Sequence, residues 1–156
     1  MLKFEWFEGT HSPEYRDALS IREKVFIKEQ NVDVALEIDG EDDQRWHIVG
    51  YLNEQPVATS RVYFIKPNVL KIQRVAVSKA VRGQHIGLQL MQNVEKWAIE
   101  QGAKELILSA QDTVIPFYEK LGFNIANEVG YMDANILHHD MAKSLKPKSN
   151  SFNEVF

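Results

Sequence analysis

Residues 72–91 read Ile-Gln-Arg-Val-Ala-Val-Ser-Lys-Ala-Val-Arg-Gly-Gln-His-Ile-Gly-Leu-Gln-Leu-Met, and the fold follows from how this stretch is parsed. An apolar strand, with Ile72, Val75 and Val77 prominent, runs into a turn. It continues as Arg82-Gly83-Gln84-His85-Ile86-Gly87 and then as an amphipathic helix. Amide groups in the first turn of a helix lack partners, and the helix dipole places partial positive charge there. Glycines let a ligand approach that backbone, and Arg82 adds a full charge. The junction reads as a phosphate cradle; the same residues also fit an ordinary strand-to-helix turn with Arg82 on the surface. A G-x-G-x-x-G dinucleotide fingerprint and a Walker A ending are both absent.

Downstream, Gln84 to Gln101 is the clearest helix, with Gly87, Leu90, Met91, Val94, Trp97 and Ala98 on one stripe and Gly102 to end it. Leu106-Ile107-Leu108 predicts a buried strand. Asp112-Thr113 predicts the cap of a short helix whose Val114, Phe117, Tyr118 and Leu121 share a face. Phe123–Val129 and Asn135–Met141 predict two further strands. Upstream, Leu2 to Phe7 alternates as a strand, and Ser12-Pro13 predicts a helix start with serine as cap. Tyr15, Ala18, Leu19, Arg22, Val25 and Phe26 place one helix over 14–28. An irregular acidic stretch (Glu37, Asp39, Glu41, Asp42, Asp43) precedes a hairpin of strands near Trp46–Leu52 and Pro56–Ile65. The order β-α-β-β-β-α-β-α-β-β predicts an α/β (α+β) fold, a mixed sheet with helices on both faces.

At 156 residues the chain fits one domain with a real core. Residues 1–142 form that domain in this reading, and 143–156 form a tail of disorder-type composition in which Phe152, Val155 and Phe156 offer docking groups. A net charge of -4 argues against broad binding to nucleic acid. The absence of cysteine removes disulfides, thiolate metal sites and cysteine nucleophiles. No apolar run approaches the ~20 residues of a membrane helix, so a cytoplasmic protein is expected. His138-His139-Asp140 does not predict a metal site, because adjacent strand residues point to opposite faces.

The strand-loop-helix segment resembles the acetyl-CoA signature of the GNAT family, the GCN5-related N-acetyltransferases. In that family an Arg/Gln-x-x-Gly-x-Gly/Ala loop grips the pyrophosphate of CoA. Here His85 stands where the first motif glycine usually is. A left-handed backbone there would strain a histidine; a residue that has begun the helix would not, and the flanking Gly83 and Gly87 favour the second case. Phe117-Tyr118-Glu119-Lys120-Leu121-Gly122-Phe123 resembles the family's second element, whose tyrosine sits by the CoA sulfur. Alone, that segment is an aromatic pair packing a short helix; together and in the family's order, the two elements are far more specific. The resemblance covers about residues 2–142. It is nearest the small bacterial ElaA-like or YjcF-like branch, on Arg22-x-x-Val25-Phe26-x-x-Glu29-Gln30, Glu37-x-Asp39-x-x-Asp42, Arg74–Val77 and His138-x-x-Met141.

The resemblance implies a mostly antiparallel sheet of six to seven strands and an N-acetyltransferase that moves acetyl from acetyl-CoA directly to a primary amine of a small acceptor. A non-catalytic acyl-CoA-binding regulatory module is the alternative. It implies that the strand around Arg74–Val77 splays from the strand near Leu106–Ser109, with pantetheine in the gap. The donor site would comprise Val75, Ala76, Val77, Arg82, Gly83, Gln84, His85, Ile86, Gly87, Asp112, Phe117 and Tyr118. The backbone N–H near Val75 would polarise the carbonyl and Tyr118 would protonate the thiolate. Many family members carry a glutamate before the phosphate loop; Lys71 and Gln73 stand there in this chain. The acceptor and its proton are therefore assigned to Glu37, Asp39, His47 and His138. A homodimer through sheet edges or the tail is compatible with the sequence.

Overall fold

The computed structural model describes residues 1–145. From residue 146 the expected tail, with Phe152, Val155 and Phe156, lies outside the described residues. Strand β1 (Leu2–Glu8) pairs antiparallel with β2 (Trp46–Leu52), and β2 with β3 (Gln55–Lys66). The β2–β3 turn is Asn53-Glu54, with φ of 49° and 70°, the two left-handed residues that match a tight hairpin to strand twist. Strand β4 (Val69–Val77) follows antiparallel, then a helical crossover leads to β5 (Glu105–Gln111), which lies parallel to β4. Strand β8 (Ile136–Ser144) closes the far side antiparallel to β5.

Among the described residues the sheet has eight strands, not six to seven: β1-β2-β3-β4-β5-β8 and then β6 (Asn124–Ile125), with β7 (Tyr131–Asp133) also on β8. The strand expected over 123–129 shrinks to β6 (Asn124–Ile125), and Tyr131–Asp133 forms the extra β7. The cause is local: the Asn127 side chain accepts the Val129 N–H at 3.0 Å, a turn that competes with the ladder. Strand β8 also runs past the expected domain edge at 142. Lys143 donates to Glu95 at 2.6 Å and to the Leu121 carbonyl at 2.8 Å, and Leu145 is buried.

Helices cover both faces. Helix α3 (Ile86–Glu100) lays Leu90, Met91, Val94 and Ala98 over Leu70, Ile72, Leu106 and Leu108. The opposite face takes α1 (Glu14–Arg22), whose Ala18 and Ile21 pack with Phe7, Val49 and Ala76. Three features differ from the sequence reading. The helix expected over 14–28 changes to π winding at Glu23–Glu29. Ser12 contributes its carbonyl to Tyr15 N–H, not a side-chain cap. Asp112 does not cap α4 (Ile115–Lys120); a 3-10 turn at Asp112–Val114 intervenes, and its carboxylate takes His139 Nδ1 at 2.6 Å. A short helix α2 (Val34–Glu37), capped by Asp33, lies in the acidic stretch. Among the described residues no helix is long and apolar enough to cross a membrane.

Candidate active site

Pairing of β4 with β5 stops at Ile72 opposite Leu108. Just beyond, the β3–β4 register jumps from Arg61 opposite Gln73 to Thr59 opposite Ala76, so β4 carries one extra residue there. Arg74 absorbs it with φ of 56°. A bulge bends its strand and re-aims the groups beside it. Here it turns β4 away from β5 and opens a cleft of about 910 Å³. The facing edges, β4 from Gln73 and β5 from Ser109, make no ladder with each other.

One end of the cleft is the loop before α3. Gly83 has φ of 89°, and His85 has φ of 62° as the residue preceding the helix. His85 has therefore not entered the helix, contrary to the favoured expectation. The chain needs a left-handed residue to swing from loop to helix axis, at a cost of about 1–2 kcal/mol for a residue with a Cβ. The imidazole is exposed. Gly87 lies where α3 packs on α4, and a Cβ there would make ordinary contact with the Phe117 ring at 3.4 Å. Each nitrogen of the Arg82 guanidinium is engaged: Nε donates to the Val77 carbonyl at 3.0 Å, Nη1 to Glu29 Oε2 at 2.5 Å and Nη2 to Glu29 Oε1 at 2.7 Å. The guanidinium holds the Glu29 carboxyl below its usual range.

Tyr118 reaches the cleft from α4 with 6% of its surface exposed. Its ring meets Phe117 and Phe123 edge-on at 5.0 and 5.7 Å. Burial alone pushes its phenol pKa up, because the phenolate would be poorly solvated there.

Opposite, Glu37, Gln73 and Arg74 line the cleft and are backed by an ionic net. Arg22 Nε donates to Glu37 Oε1 at 2.8 Å, and Arg22 Nη1 to Asp42 Oδ1 at 3.0 Å. Arg61 binds Asp42 at 2.9 Å and Asp39 at 2.9 and 2.8 Å, and also donates to Gln73 Oε1. Arg74 Nε lies 2.7 Å from Glu37 Oε2, and its Nη2 donates to the Leu36 and Glu37 carbonyls. Three guanidinium groups thus face three carboxylates. Burial raises the Asp42 carboxyl, but Tyr15 and the two arginines outweigh it and hold the group at about 2. Arg61 likewise keeps Asp39 well below the carboxylate range.

At the β5–β8 edge, Ser109 and Tyr131 line the cleft and their hydroxyls touch; Tyr131 donates onward to Asp140 Oδ1 at 2.6 Å. Burial and the Asp140 carboxylate raise the Tyr131 pKa. His138 lies beside Tyr131, with ring centres 6.1 Å apart and Nδ1 on the Ile136 carbonyl.

The cleft therefore gathers Val75, Ala76, Val77, Arg82, Gly83, His85, Ile86, Gly87, Phe117, Tyr118, Glu37 and His138 from the sequence-derived candidates. Gln84, Asp112, Asp39 and His47 are outside its lining. His47 is only 1% exposed, stacks on Phe7 at 4.9 Å and bonds the Asp42 carbonyl; burial lowers its pKa. Glu37 and Asp39, expected to serve the acceptor and its proton, are paired with arginines. Sequence reasoning missed Ser109, Tyr131, Glu29 as the partner of Arg82, and the three-arginine network. The last had a signal, since Arg22 sits in an otherwise apolar helical stripe.

The sequence pattern described as the Acetyltransferase (GNAT) family matches residues 4–123. The chain is 40% identical over 128 residues to the uncharacterized N-acetyltransferase YjcF of Bacillus subtilis, covering 82% of this chain and 91% of that one. It is 34% identical over 151 residues to protein ElaA of Escherichia coli, covering 90% and 97%. The crystal structure of Escherichia coli ElaA superposes with a TM-score of 0.81 at 30% identity, over 92% of this chain and 100% of that one. A Pseudomonas aeruginosa acyl-CoA N-acyltransferase superposes with the same TM-score at 27% identity, over 92% and 100%.

Proposed function

The chain belongs to the GNAT acetyltransferase family, and from that premise we propose that it is an N-acetyltransferase moving acetyl from acetyl-CoA directly to a primary amine of a small acceptor, in the cytoplasm. The observation that carries this reading is the parting of β4 from β5 after Ile72, beside the bulge at Arg74 and with Tyr118 on the apolar side. The free strand edges suit pantetheine, whose amides can pair where a neighbouring strand would. Amides of the α3 first turn and of Gly83 suit the pyrophosphate.

In this reading the amine nitrogen attacks the thioester carbonyl carbon. The N–H of Val75 stabilises the oxygen as it gains charge. The C–N bond forms, the C–S bond breaks, and the departing thiolate takes the Tyr118 proton, which solvent replaces. Burial keeps the Tyr118 phenol protonated until sulfur leaves, and it also makes the phenol a weaker acid than one in water. The proton shed by the amine passes through the Ser109 and Tyr131 hydroxyls to the Asp140 carboxylate. That route supplies what a strand glutamate does elsewhere in the family, since Gln73 is occupied by Arg61.

The test is calorimetric titration with acetyl-CoA and desulfo-CoA, followed by thiol release against a panel of primary amines. Saturable micromolar binding with amine-dependent thiol release is the expected result. No binding by folded protein would overturn the reading. Binding without turnover on any amine, unaffected by Tyr118→Phe, would leave the acyl-CoA-binding module in its place. The chain has no cysteine, so a thiol reagent reads released CoA without background.

A further inference from the structure

The donor site holds a carboxylate from outside the phosphate-loop motif. Glu29 closes the π-wound segment and binds both terminal nitrogens of Arg82, at 2.5 and 2.7 Å. The third nitrogen of that guanidinium, Nε, donates to the Val77 carbonyl. Two parallel N–H bonds to a carboxylate are the geometry in which arginine also takes a phosphate. A pyrophosphate seated on this loop meets Arg82 with its fork already filled by an anion. The neighbouring residue acts across the cleft: Gln111 at the end of β5 donates to Gln30 Oε1 at 2.9 Å. The Glu29-Gln30 pair therefore touches both lips of the opening, the phosphate loop after β4 and the tip of β5.

We propose that Glu29 is an affinity-setting residue of the donor site: it competes with the CoA pyrophosphate for Arg82. This rests on the acyl-CoA reading above. Bound CoA must displace or share the carboxylate, and re-formation of the pair helps expel it. Lys79 is the other cation that acts on Glu29, and Gln30 stays on Gln111 while Glu29 swings, so the segment keeps its place. The pair is partly exposed, 40% for Arg82 and 31% for Glu29, so the exchange happens at the mouth and needs no opening of the core.

The experiment titrates wild type and Glu29→Gln with CoA, and measures inorganic pyrophosphate as a competitor for CoA on both proteins. Glutamine keeps the size and a hydrogen bond to Arg82 but removes the charge. The expected result is CoA bound about three- to tenfold tighter by Glu29→Gln, slower CoA release, and a parallel gain for pyrophosphate. Wild type that binds no CoA sinks the donor-site reading and this inference with it. Wild type that binds, with Glu29→Gln equal or weaker, overturns this inference alone and makes Glu29 a strut for the loop. A gain for CoA without a gain for pyrophosphate places the effect outside the phosphate contact, which also overturns it.

Discussion

On the α3–α4 side of the cleft, Tyr118 is packed between Phe117 and Phe123, and no side-chain hydrogen bond to it is seen among the described residues. On the α1–α2 side, Arg22, Arg61 and Arg74 face Glu37, Asp39 and Asp42 in a buried net of like strength and opposite sign. The two walls are built by different means. The apolar wall sets a protonation state, because burial favours the neutral phenol. The ionic wall sets positions: its charges cancel in pairs, and the arginines hold the Asp39 and Asp42 carboxyls below their usual range. In the proposed reaction the group that gives up a proton lies on the first wall, and the bulge that aims the oxyanion donor is tied down by the second, through Arg74.

The largest effect should come from breaking the ionic wall. Arg61→Met removes a buried guanidinium shared by Asp39, Asp42 and Gln73, and urea unfolding should show a loss of about 3–5 kcal/mol. A loss below about 1 kcal/mol would mean that water repairs the net and that the wall is not a structural unit. On the apolar wall, Tyr118→Phe should cut acetyl transfer about a hundredfold while CoA affinity and thermal stability hold. Equal losses of rate and affinity would instead make Tyr118 a packing residue.

Acid should separate the walls next. Asp42 sits at about 2 when folded against an ordinary 3.8, so its contribution is fully present above 3.8 and is lost as pH falls toward 2. The shift corresponds to about 2 kcal/mol, read as a falling urea midpoint between those pH values in wild type and a flatter profile in Asp42→Asn. Tyr131→Phe should lower amine-dependent thiol release about tenfold and leave CoA binding unchanged, the expected loss for an interrupted proton path. An unchanged rate would send the amine's proton elsewhere. Smallest of all, His85→Gly should raise stability by about 0.5–1 kcal/mol by releasing a left-handed residue.

The sequence reads one wall better than the other for a physical reason. Strand β2 was legible to the residue, and Tyr118 and the loop at Arg82–Gly87 were legible as motifs, because periodicity and local spacing are written in consecutive residues. The ionic wall joins residues 22, 37, 39, 42, 61 and 74 from five segments, and no local pattern announces such a meeting. Arg22 in an apolar stripe was the trace of it, because a buried guanidinium needs partners. His85 misled for the opposite reason. Its identity argues against a left-handed backbone, and the turn into α3 overrode that preference.

The π winding at Glu23–Glu29 has a consequence for where the residues after it point. An ordinary helix advances about 100° per residue and a π turn advances less, so tightening this segment without changing its length would rotate everything after it. Glu29 and Gln30 would turn away from Arg82 and Gln111 together, with every side chain in the segment still present. The spacing between the two lips of the cleft is thus held by the winding of the segment as much as by residue identity, and a change of winding would unlatch it where many single substitutions would not.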